Sequence, residues 1–125
     1  EGTYGKVFSG KCRGQPVAIK VPSRQELTQK QLDDFRREVA VMKRIFHPCI
    51  VLFLGACTTA GQIMLVTELC PHGDLEGLLH SAKELDIHHK LGFARDVALA
   101  MNWLHGINSI VHRDLKPATC SLART

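Results

Sequence analysis

The chain opens with two β-rich runs, Val7 to Cys12 and Val17 to Val21, on either side of Arg13-Gly14-Gln15-Pro16. That order predicts a hairpin, and Pro22 ends its second strand. Thr28 with Gln31 forms a capping box for a helix running to about Phe46. Leu32, Phe35, Val39, Met42 and Ile45 or Phe46 recur at three- and four-residue steps and predict one apolar stripe along it. His47-Pro48 breaks this helix. Ile50 to Ala56 reads as a strand buried on both faces, Thr58 to Gln62 as a turn, and Gln62 to Glu68 as a further strand. Cys70-Pro71-His72-Gly73-Asp74 is a connector rich in breakers. Beyond it the pattern turns helical, with a short helix from Leu75 to about His80. Asp86 caps a longer helix to His105, which has Ile87, Leu91, Ala94, Val97, Met101 and Leu104 on its expected buried face and Gly106 at its end. Strands first and helices afterwards indicate an α+β chain.

Composition narrows the function more than the fold. At 125 residues with 45% apolar content the chain is one domain at most. It starts at Glu1 rather than Met and ends without a closing element, so it reads as a fragment. A net charge of +4 suits an anionic small molecule such as a nucleotide and is too scattered to argue for nucleic acid. The longest apolar run, Ile50 to Leu54 followed by Gly55, Ala56 and Cys57, falls short of the ~18 residues of a membrane span. Five cysteines without a C-x-x-C pair predict reduced thiols and a cytoplasmic location rather than a disulfide framework. The histidines lack metal-ligand spacing with any cysteine, so no metal site is expected from them.

The densest chemistry lies in Ile110-Val111-His112-Arg113-Asp114-Leu115-Lys116-Pro117, where two apolar residues lead into four polar ones and a helix-stopping proline. Such a run is poorly suited to a core and well suited to a site. Near the start, Gly2 and Gly5 precede Val7, and glycine lets backbone amides come close to phosphates. These glycines lead into a hairpin, not into the helix that a dinucleotide fingerprint requires. On a strand of period two, Ala18 and Lys20 share a face, a small residue beside a cation. Ala18 leaves room for a flat ring, and Lys20 reaches phosphate oxygens. Glu38, on the flank of the apolar helical stripe, is placed to aim at Lys20 if that helix packs on the sheet.

Glycine loop, strand lysine, helix glutamate, two strands, hinge, two helices and a His-Arg-Asp loop form a succession that resembles the protein-kinase catalytic domain along nearly the whole chain. The wording around Phe35-Arg36-Arg37-Glu38-Val39, His47-Pro48 and Val51 to Thr58 looks like the tyrosine-kinase-like group, which includes the Raf and mixed-lineage kinases. Lys116-Pro117 after Asp114-Leu115 looks like Ser/Thr specificity. The resemblance implies an antiparallel five-stranded N-lobe with one packed helix over residues 1–69, a hinge over 70–74, and the start of a helical C-lobe over 75–125. It implies ATP and Mg2+ as cofactors, a protein substrate, and transfer of the γ-phosphoryl group to Ser/Thr hydroxyls. By residue, it implies that Gly2 and Gly5 cover the phosphates, that Lys20 contacts them and pairs with Glu38, and that Val7 and Ala18 roof the adenine. Thr67 stands at the gatekeeper position, with the backbone of Glu68 and Cys70 on the adenine edge. Asp114 receives the substrate proton and Lys116 steadies the transferring phosphoryl group. The family pattern H-R-D-L-x-x-x-N has its magnesium-binding asparagine where this chain carries Thr119. A shorter hydroxyl there opens a second reading, a nucleotide-binding pseudokinase or scaffold. The segment that holds the other magnesium is absent from the sequence, so this polypeptide by itself is expected to be inactive.

Overall fold

The computed structural model describes residues 5–81 and 84–123. Contacts divide the chain into two compact units, one made of Glu1–Phe46 with Leu52–Leu69 and the other of His47–Val51 with Cys70–Thr125.

The first unit is built on a hairpin. β1 (Lys6–Cys12) pairs antiparallel with β2 (Gln15–Val21) through a two-residue turn at Arg13-Gly14. Both turn residues have positive φ, 50° and 81°, the arrangement whose twist matches that of the flanking strands. β3 (Phe53–Cys57) and β4 (Met64–Glu68) complete a sheet of order β1-β2-β4-β3, with every neighbouring pair antiparallel. The sheet therefore has four strands among the described residues, against the five expected, because the chain carries four β-rich runs and each forms one strand. β3 begins at Phe53 rather than Ile50 and is not buried on both faces: it is an edge strand, and Leu54 is 44% exposed. A register shift between Phe53 and Gly55 breaks its ladder, a common way to blunt an edge.

α1 (Gln29–Met42) starts at the capping box read from the sequence: the Thr28 hydroxyl accepts from the Gln31 amide, and the Gln31 side chain accepts from the Thr28 amide. Leu32 and Val39 are its buried residues, and Arg36 donates to the Thr58 carbonyl at 3.3 Å, tying the helix to the end of β3. The helix stops at Met42, short of Phe46. The amides of Arg44 and Ile45 bond back three residues, to Val41 and Met42, a tightened last turn. His47 precedes a proline and is disfavoured from the α region. Phe46 leaves the stripe altogether and is 77% exposed.

In the second unit, Asp74 caps α2 (Leu75–Leu79) by accepting from the Gly77 amide at 2.7 Å. Asp86 caps α3 (Ile87–Met101) in the same way through His89. From Asn102 to Ile107 the helix widens into a π-helical segment instead of running unchanged to His105. The amides of Asn108 and Ile110 close it by bonding to the Trp103 and Leu104 carbonyls. The buried face is also shorter than periodicity suggests. Ala100 and Leu104 are buried, whereas Ile87 and Leu91 are 61% and 59% exposed, since an apolar stripe is buried only where a neighbour covers it. The backbone of His72 to Leu75 pairs with that of Cys120 to Leu122. This seats Leu122, 5% exposed, in a core that its sequence neighbourhood does not announce. His47 belongs to this unit, its ring 5.8 Å from that of Trp103.

Candidate active site

In the sheet of the first unit, register decides which side chains share a face, because residues directly opposite one another on neighbouring strands project to the same side. Lys20 lies opposite Val7 on β1, and Ala18 lies opposite Thr67 on β4. With the strand period of two, Val7, Ala18, Lys20 and Thr67 thus occupy one face. Ala18 and Thr67 are buried, Lys20 is half-buried and Val7 is exposed. A small residue and a half-buried lysine on β2 and a buried threonine on β4 lie together, with Val7 of β1 on the same face.

Glu68 projects to the opposite face. Its carboxylate accepts from the Leu52 amide at 2.6 Å, and its own amide donates to the Leu52 carbonyl at 2.9 Å. Its carbonyl accepts from the Thr67 hydroxyl at 3.1 Å. The side chain of Glu68 therefore extends the edge of the sheet beyond the β3 ladder. Cys70 comes next but one, at the start of the second unit. Gly5 has φ +77°, and a Cβ there would run into the backbone of Val21, Pro22 and Ser23. Its own chain already requires glycine. Gly2 lies outside the described residues.

Lys20 and Glu38 do not form an ion pair. Glu38 sits one residue round from buried Val39, on the exposed side of α1. The ion pairs of that helix are Asp33 with Arg36 and Asp34 with Arg37. The pairing expected from the sequence is corrected on this point: burial of Leu32 and Val39 sets the helix rotation and leaves the carboxylate in solvent.

The second unit carries the His-Arg-Asp loop. The His112 amide donates to His105 Nε2, and the Asp114 amide donates to His112 Nδ1, each at 3.3 Å. Arg113, between them, has φ +67°, a left-handed conformation that is uncommon for a long side chain and costs about 1–2 kcal/mol. The two imidazoles act as acceptors that turn the backbone toward Asp114. His105, seven residues upstream in the π-helical segment, gave no sequence signal because its contact depends on how that segment closes. Asp114 Oδ1 is 3.1 Å from Lys116 Nζ, and both side chains are more than half exposed. Pro117 opens a short 3-10 turn through Thr119. Burial pushes the Cys120 thiol up from its ordinary pKa, and its Sγ donates to the Lys116 carbonyl. The exposed acid and ammonium thus meet on a loop held by backbone contacts, an arrangement able to receive a proton and to stabilise negative charge.

Thr119 stands where the family pattern has its magnesium-binding asparagine, and its bonding leaves it a poor fit to that task. The Thr119 hydroxyl is turned into the loop, donating to the carbonyls of Asp114 and Lys116 at 3.0 and 2.8 Å and accepting from the Lys116 amide at 3.1 Å. Among the described residues, no three His, Cys, Asp or Glu side chains gather as a metal site. No helix among them is long and apolar enough to cross a membrane.

The sequence is similar to those of known protein kinases. Over 121 residues the chain is 54% identical to the dual specificity protein kinase shkD of Dictyostelium discoideum, covering 94% of this chain and 16% of that protein. It is 46% identical over 117 residues to the probable serine/threonine-protein kinase SIS8 of Arabidopsis thaliana, covering 92% of this chain and 11% of that protein. With the serine/threonine-protein kinase CTR1 of the same plant it shares 44% identity over 119 residues, covering 92% of this chain and 14% of that protein. The chain thus spans less than a fifth of the length of each of these relatives. The protein tyrosine and serine/threonine kinase family matches it over residues 1–125, and the chain belongs to that family.

Proposed function

We propose that this chain is the nucleotide-binding and catalytic-loop part of an ATP-dependent protein kinase that phosphorylates Ser/Thr hydroxyls of a protein substrate in the cytoplasm. The observation that carries the reading is the common face of Val7, Ala18, Lys20 and Thr67. A purine ring needs an apolar roof with no bulky side chain beneath it, and triphosphate oxygens need a cation within reach. In this proposal Val7 and Ala18 cover the adenine, Thr67 limits the depth of its pocket, and the backbone of Glu68 and Cys70 meets its edge. Gly2 and Gly5 lie over the phosphates and Lys20 contacts them. Asp114 receives the proton of the attacking hydroxyl, and Lys116 stabilises charge on the transferring group. Residues 1–69 serve as the N-lobe, 70–74 as the hinge and 75–125 as the beginning of the C-lobe.

The test uses the whole protein that contains this chain. Wild type is expected to bind ATP and to transfer labelled phosphate to a Ser/Thr substrate protein. Lys20→Met is expected to weaken ATP binding and abolish transfer, and Asp114→Asn to bind ATP normally while losing at least ~100-fold in turnover. Full turnover in Asp114→Asn would remove the assigned role. A second reading, a nucleotide-binding pseudokinase, is favoured by the inward-turned Thr119 hydroxyl. It predicts ATP binding in wild type with no transfer to any substrate.

A further inference from the structure

Within the loop from Asp114 to Cys120, Thr119 is the point where most bonds converge. Its Oγ1 has one proton, shared between the carbonyl oxygens of Asp114 at 3.0 Å and Lys116 at 2.8 Å. It also accepts the Lys116 amide proton at 3.1 Å. The backbone repeats the closure, the Thr119 amide donating to the Lys116 carbonyl at 2.9 Å. The hydroxyl therefore joins both ends of the segment whose side chains form the Asp114–Lys116 ion pair.

A divalent cation is badly served at this position. Magnesium prefers carboxylate, carbonyl or water oxygens in near-octahedral array. Oγ1 is a neutral hydroxyl with its proton and one lone pair already engaged by the loop backbone. We propose that Thr119 is a positioning residue: its hydroxyl closes the 114–119 turn and holds Asp114 and Lys116 in their paired arrangement, and it is not a ligand of a divalent ion. This rests on the kinase reading for its functional meaning, but the bonding it asserts belongs to the loop alone.

Thr119→Val removes the hydroxyl at nearly constant shape, Thr119→Ala removes it with less crowding, and Thr119→Ser keeps it. In the nucleotide-free full-length protein, hydrogen exchange of the Lys116 amide is expected to rise about tenfold in the Val and Ala variants, the loss of one hydrogen bond. The Ser variant is expected to exchange like wild type. In a second arm, with ATP and Mn2+, the number of Mn2+ ions retained per molecule, read by electron paramagnetic resonance, is expected to be equal in wild type and Thr119→Val. Unchanged Lys116 exchange in both the Val and Ala variants overturns the positioning role. Loss of a bound Mn2+ ion in Thr119→Val overturns the exclusion of the metal. Failure of wild type to bind ATP would end the kinase reading, while the exchange arm still decides the role of Thr119.

Discussion

Gly5 and Gly14 adopt nearly the same left-handed backbone, φ +77° and +81°, in very different surroundings. Around Gly14 the space for a Cβ is open, whereas at Gly5 that space is filled by the backbone of Val21, Pro22 and Ser23. Gly14→Ala is therefore expected to cost about 1 kcal/mol, the ordinary penalty for a non-glycine residue at positive φ. Gly5→Ala is expected to cost distinctly more, since backbone must also move. Urea unfolding of the two variants checks this, and equal midpoints would show that the crowding at Gly5 has no energetic weight. The sequence singled out Gly5 for its closeness to phosphates. The local chain gives a reason for glycine there that needs no ligand, so a loss of function in Gly5→Ala has to be read beside its loss of stability. Arg113 was equally opaque: nothing in its residue type announces a positive φ, which is set by the hydrogen bonds His112 makes on both sides of it.

At the scale of elements, the N-terminal caps of α1 and α3 were readable and the C-terminal ends of those helices were not. Thr28 and Asp86 cap α1 and α3 as the sequence indicates, because a cap bonds only to amides within its own first turn. The Asp86 carboxyl is held below the usual aspartate range, first by the His89 amide and then by the His89 ring. A carboxylate with a depressed folded-state pKa stabilises the fold above its unfolded-state value, and that contribution is lost as pH falls through the lowered folded value. A carboxyl-detected NMR titration is expected to place the Asp86 midpoint below that of an unstructured aspartate. Asp86→Asn keeps an oxygen acceptor and is expected to retain the cap while removing this pH dependence, whereas Asp86→Ala loses both. An ordinary midpoint for Asp86 would contradict the assignment. The ends of α1 and α3 differ from expectation for another reason. Periodicity continues through Ile45 and through His105, but His47-Pro48 tightens one helix and the Asn108 and Ile110 amides widen the other.

On the scale of the whole molecule, long-range polar contacts fix what no local pattern contains. The Gln25 side chain brackets the Ile63 peptide, donating to its carbonyl at 3.0 Å and accepting from its amide at 2.6 Å across 38 residues. Ile63 itself is fully buried. Gln25→Ala leaves both backbone groups without partners and is expected to destabilise the protein by about 1–3 kcal/mol, measured by urea unfolding. Ile63→Ala is expected to cost about 2–5 kcal/mol from the cavity it leaves. A Gln25→Ala variant as stable as wild type would mean that water replaces the side chain without loss. The sequence alone determined the α+β order, the hairpin, the caps of α1 and α3, the four β-rich runs and the family, since each depends on spacing within a short window or on motifs read in series. Tertiary structure decided the rest. Register gathered Val7, Ala18, Lys20 and Thr67 on one face, and burial of Leu32 and Val39 turned Glu38 away from Lys20. Docking of Cys120 to Leu122 against His72 to Leu75 buried Leu122. In each case the deciding contact joins residues far apart in the chain, and local preference carries no information about which partner will be there.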